Sequence, residues 1–244
     1  MKKMNLISAF LVLTPFSGVR AAIPPKNPLS PRVMEILNLP PENRTQAVLS
    51  TTEDMYHDFL GVAFSEKQSM RLRWRALMLA AENRRGKATP DLLKAANHKQ
   101  WFMRNAALVA LAEVNDAEAQ KLAKKLVKDK ALVVRSAAVE ILQKNVRPEV
   151  RDLLWEEMAQ KYNFRNKESL WIRSQIVEAL AQKPADHELK TFSKFLYDKD
   201  SRVQIAAVAG MEKLTGVKLG EAQSSREKLV LLWQDYARKE KIGL

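Results

Sequence analysis

The decapeptide VVRSAAVEIL at residues 133–142 decides how this chain folds. Altered copies stand at four other places: RLRWRALMLA from Arg71, FMRNAALVAL from Phe102, WIRSQIVEAL from Trp171 and RVQIAAVAGM from Arg202. The third residue of each copy gives a common register: Arg73, Arg104, Arg135, Arg173 and Gln204, in steps of 31, 31, 38 and 31 residues. A fixed period of this size predicts stacked structural repeats, each too small to bury its apolar face alone.

The columns around the register position predict that each copy is a helix. Three residues after it stand Ala76, Ala107, Ala138, Ile176 and Ala207; one further on stand Leu77, Leu108, Val139, Val177 and Val208. Apolar residues also occupy the positions one before and seven after. Offsets of −1, +3, +4 and +7 share one side of a helix, and the small column lets a neighbouring helix approach closely. With few glycines and no alternating strand pattern, the reading is all-α: a right-handed α-solenoid of about five helix pairs, residues 51–220, with N- and C-terminal capping helices.

Outside the repeats, Lys2 and Lys3 precede an apolar run at residues 4–16, and the small residues Val19 and Ala21 follow. This is the layout of a secretory signal peptide, with the cut expected after Ala21 and export to the periplasm or beyond. Residues 22–30 form a proline-rich lead-in. Residues 31–50 read as two short capping helices, the first starting at Ser30-Pro31 with proline at its first position. Residues 221–244 supply the C-terminal cap, with Ser224 to Glu227 as a capping box. In the repeats, Thr52 and Thr89 are expected to cap helices, and Gly216 to end one. The seven extra residues of the fourth repeat either lengthen its first helix or form a loop at residues 162–168, which holds Tyr162, Phe164 and Arg165.

The helix-pair period and the V-R-x-x-A core resemble HEAT repeats over residues 51–215. The resemblance implies a binding scaffold. It also implies an Asp six residues before each register arginine, forming a buried ladder. Only Asp129 and Arg135 keep that pair, with Lys67, His98 and Lys167 before the other arginines and Gln204 after Asp198. The ladder is therefore expected to be mostly absent.

Chemistry is sparse. There is no cysteine, which excludes disulfides, thiolate catalysis and cysteine zinc sites. Of three histidines only His187-Glu188 forms a His-Glu pair, too few ligands for the iron site of HEAT-like hydroxylases; Glu188 is read as a first-turn acid. No cofactor and no metal are expected, and an enzyme, such as a HEAT-like DNA glycosylase, is the third reading. The first is a non-enzymatic scaffold for a protein or peptide partner. Its surface is one side of the second helices, offsets +1 and +5: Trp74, Met78, Asn105, Val109, Ser136, Glu140, Ser174 and Glu178. The second reading follows from the net charge of +13, or +10 after loss of Lys2, Lys3 and Arg20. It is a basic scaffold for an anionic polymer or membrane surface, using Arg71, Arg75 and the stripe Lys121, Lys124, Lys125 and Lys128, or else that stripe is a solvated outer face.

Overall fold

A computed structural model describes residues 30–51, 54–221 and 223–243. The expected signal peptide, its cleavage site, nearly all of the lead-in and Thr52 lie outside them. The described chain is an array of helix pairs with a capping segment at each end. The first helices are α3 (Tyr56–Phe64), α5 (Thr89–Ala95), α7 (Asp116–Leu126), α9 (Pro148–Glu157) and α11 (Leu189–Phe195). Their partners, the second helices, are α4 (Met70–Arg84), α6 (Trp101–Val114), α8 (Leu132–Leu142), α10 (Trp171–Gln182) and α12 (Ser201–Thr215). Each first helix packs on its own partner, and α4, α6, α8, α10 and α12 stack on one another in order. The capping helices α1 (Pro31–Asn38) and α2 (Pro41–Leu49) pack on α4, and α13 (Arg226–Lys239) packs on α12.

The core is built from the predicted columns. Ala76, Ala107, Ala138, Ile176 and Ala207 are all fully buried. Where even an alanine is too large, glycine takes its place. A Cβ on Gly210 would lie 2.5 Å from two ring carbons of the fully buried Phe192 on α11. Such overpacking is costly because the ring has no room to move. Gly210→Ala is therefore expected to destabilise the protein by about 1–3 kcal/mol, read as a lower denaturant midpoint with an unchanged slope.

Several helix ends differ from expectation. Thr89 is not a side-chain cap; its hydroxyl donates to the Gly86 carbonyl and accepts from Asn115 Nδ2. At α13 the cap is Ser225, which accepts from Lys228 N, while Ser224 accepts from Glu221 N. The N-cap is thus one residue later than expected, and with Lys228 at its third position it is a single serine cap rather than a capping box. Gly216 ends α12 in the left-handed conformation, as predicted.

The extra residues of the fourth repeat do not lengthen α9; they form the excursion between the paired helices, and it is ordered as a hairpin. After α9 come a 3-10 turn (Lys161–Asn163) and a two-stranded hairpin, β1 (Phe164–Arg165) paired with β2 (Glu168–Ser169). Asn166 and Lys167 at its tip both have positive φ, as a two-residue hairpin turn requires. Phe164 lies over the Arg173 guanidinium of its own repeat, whereas Tyr162 lies over Arg135 of the preceding one.

Candidate interaction surfaces

A ladder of arginines sets the geometry of every surface on the array, and it corrects the expectation that the ladder is mostly absent. The sequence motif pairs residues within one repeat; the side chains reach into the next. Arg104 donates from Nε and Nη2 to both carboxylate oxygens of Asp129, at 2.6 and 2.7 Å. Arg173 grips both carboxylate oxygens of Asp198 from Nη1 and Nη2, at 3.1 and 2.6 Å. Arg73 donates to Gln100 Oε1, and its Nη2 lies 3.4 Å from His98 Nε2. Arg135 donates to Asn163 Oδ1 at 3.0 Å and to the Tyr162 carbonyl at 2.8 Å. All four arginines are buried. Burial lowers the pKa of Arg73 and Arg135, whose anchoring side-chain acceptors are neutral. Asp129 is also buried, which pushes its pKa up, but hydrogen bonds from Arg104 and the Ala131 N–H and the Arg104 charge override this and hold it below the ordinary value.

A second buried hub lies between the fourth and fifth repeats. Glu188 accepts from Arg151 Nη1 at 2.6 Å, from Trp155 Nε1 and from the Ala185 N–H. It stands in a helical first turn as expected, and because it is almost fully buried it is also a packing anchor.

The predicted face of the second helices is only partly open. Glu140 and Glu178 are exposed, and Trp74, Met78, Val109 and Ser136 are half-buried. Asn105 and Ser174 are buried, against expectation. The Ser174 hydroxyl turns back to the Trp171 carbonyl at 2.9 Å, and Asn105 Oδ1 has no hydrogen-bond partner among the described residues. Ser136 is committed to a bond with Gln175 Oε1 at 2.8 Å. Met78 also lines a recess of about 200 Å³ with Leu49, Ala110 and Glu113.

The expected anion-binding residues are mostly occupied. Lys121 pairs with Glu118, Lys124 with Glu149, and Lys128 approaches the buried Glu157 at 4.0 Å. Lys125 is exposed. This stripe is a solvated face interleaved with acids. Arg71 is exposed, but Arg75 donates to the Leu37 carbonyl at 2.9 Å and fastens the N-terminal cap.

One further surface emerges only from the structure. The turn from first to second helix carries an exposed lysine in every repeat: Lys67, Lys99, Lys130, Lys167 and Lys199. Eight large apolar or aromatic side chains are strongly exposed among the described residues, and six of them lie beside these turns: Met70, Trp101, Val133, Tyr162, Trp171 and Tyr197. The signal was present five or six residues before each register position, but those positions lie outside the helical columns.

Among the described residues no group of three or more histidine, cysteine, aspartate or glutamate side chains is placed to hold a metal ion. None of their helices is long and apolar enough to cross a membrane. Residues 58–161 match the family model of HEAT repeats. The fold and the ladder thus define a helical-repeat scaffold with a HEAT-repeat-like region, and the same architecture runs on beyond the match through Arg173 and Asp198 to α12. Comparison with curated proteins returns no match.

Proposed function

We propose that the protein is a non-enzymatic scaffold that binds a protein or peptide partner along the open part of its second helices. Repeats of this kind present a continuous surface made of similar side-chain positions rather than one closed pocket. The observation that carries the reading is the mixed chemistry of the open column. Apolar Met78 and Val109 and aromatic Trp74 lie at the early repeats, and Glu140 and Glu178 at the later ones. Neither glutamate forms an ion pair among the described residues. A polyanion would be repelled there, whereas a folded or extended polypeptide can satisfy both ends. Lys2, Lys3 and the apolar run after them, read as a signal peptide removed on export, support a setting for this activity in the periplasm or outside the cell.

The test is affinity capture from an envelope extract with the full chain as bait, washed at low and high salt. The double substitution Glu140→Lys and Glu178→Lys is expected to cut capture of a discrete protein about tenfold or more. It should change folding stability by no more than about 0.5 kcal/mol, since both side chains are exposed. Equal capture by the variant would move the partner site off this face.

A further inference from the structure

The turns between paired helices lie along one edge of the array, because each ladder arginine reaches the turn of the next repeat. That edge concentrates two properties that seldom coincide. It holds most of the exposed large apolar side chains, and its cations are largely unbalanced. Asp129 and Asp198 are spent on ladder arginines, Asp200 on Arg202, and Glu66 on Lys99. Lys67, Lys130, Lys161, Lys167 and Lys199 have no ion-pair partner among the described residues.

Between the turns of the first three repeats lies an open recess of about 660 Å³. Met70, Trp101, Phe102 and Ala131 form its apolar walls, and Lys99 and Lys130 stand at its rim. A recess of this size accepts one large side chain, or two, from a partner. Exposed apolar surface framed by polar groups is the usual mark of a contact site.

We propose that this edge docks an extended acidic segment of a partner protein, whose carboxylates alternate with large apolar side chains. An apolar side chain seats against Trp101 and Met70, and flanking carboxylates meet Lys130 and, in place of Glu66, Lys99. Neighbouring helices in such a stack lie about 8–10 Å apart, and an extended chain rises about 3.3 Å per residue. One acid in roughly every three residues therefore meets successive turns. A polyphosphate or sulfated polysaccharide answers the lysines but leaves the apolar walls uncovered. A bilayer favours protruding aromatics over a recess, and the exposed Glu168 would oppose an anionic one. The edge adjoins the second-helix face, since Trp171 Nε1 lies 3.5 Å from Ser136 Oγ, yet its lysines and recess are separate from Glu140 and Glu178.

The experiment uses the full chain and a fluorescent random copolymer of glutamate and tyrosine, followed by anisotropy at about 0.15 M salt, where weak surface attraction is screened. Polyglutamate of equal length, heparin and phosphatidylserine vesicles serve as competitors. The copolymer is expected to bind about tenfold tighter than polyglutamate. Lys99→Glu with Lys130→Glu should weaken both polymers about tenfold or more. Trp101→Ala should weaken the copolymer about tenfold and leave polyglutamate unchanged. The pair Glu140→Lys and Glu178→Lys should leave copolymer affinity intact, so failure here is distinguishable from failure of the second-helix reading. Far-ultraviolet circular dichroism confirms that each variant is folded. Heparin and polyglutamate binding as tightly as the copolymer, with Trp101→Ala indifferent, would overturn the proposal in favour of a general polyanion surface. Vesicle binding abolished by Trp101→Ala, without copolymer binding, would assign the edge to membranes. No binding of any probe would also overturn it.

Discussion

Asp129→Ala is expected to lower unfolding stability by about 3–5 kcal/mol, because it breaks a buried ion pair. The side chains of Arg104 and Asp129 are only 8% and 7% accessible. Removing the carboxylate strands a guanidinium charge between two repeats, where water cannot replace the lost partner. Other acceptors soften the loss, since Arg104 Nη1 also reaches the His98 and Lys99 carbonyls. The same pair gives a pH signature. The Asp129 carboxyl sits below its ordinary value of 3.8 in the folded state. Its contribution is therefore fully present above the unfolded-state value and is lost as pH falls through the lower folded one. Urea unfolding at neutral pH and again near pH 3 measures both effects. The variant should show a much smaller acid-induced loss than the parent protein. A neutral-pH difference under about 1 kcal/mol would mean that apolar packing alone holds these repeats together.

Trp233→Ala should cost a comparable amount, about 3–5 kcal/mol, for a different reason. Trp233 is fully buried on α13 and meets Tyr236 edge-on, with ring centroids 5.3 Å apart. With Val230 and Ala237 it forms the buried side of α13, the helix that packs on α12. Its indole N–H has no hydrogen-bond partner among the described residues, so the loss is one of packing and area rather than of a polar contact. The remaining ties are few: Gln234 Nε2 donates to the Leu196 carbonyl at 2.7 Å, and Ser193 Oγ to that of Ile242 at 3.1 Å. An end repeat deprived of its cap exposes the apolar side of α12, and terminal units need a polar outer face to stay soluble. Thermal unfolding followed together with light scattering should show a lower midpoint and earlier association. An unchanged midpoint would mean that α13 is docked by its hydrogen bonds instead.

The helical columns were readable because a helix repeats every 3.6 residues and its buried side chains must be apolar. Ala76, Leu77 and Leu108 fall where the spacing puts them. The ladder is not legible as a local motif because its partners are 25 residues apart rather than six. Asp129 looks paired with Arg135 in sequence, yet that arginine takes only the Asp129 backbone carbonyl, at 2.8 Å. A local motif had recorded a contact that forms across repeats. Likewise, offset +1 is open at Trp74 but closed at Asn105 and Ser174, because burial there depends on how near the adjacent helix comes. The turn edge had no period of its own to find: its lysines drift between five and six residues before the register position. The first-turn position of Glu188 was legible but its burial was not, since a buried acid and an exposed one are the same letter.

The hairpin of the fourth repeat shows how this array tolerates extra chain. A regular repeat places the ladder acceptor 25 residues after the preceding arginine, but Arg135 finds Asn163 at 28. Three of the seven added residues thus precede the acceptor and four follow it. Neither adjoining helix pair has shifted register to make room, and the surplus leaves sideways as a tight ribbon ending at Asn166 and Lys167. Longer loops add little closure entropy once their ends are fixed. The tip between these two residues is thus a ready grafting port, where a foreign peptide can be displayed while Asn163 and Arg173 keep the scaffold beneath it in step.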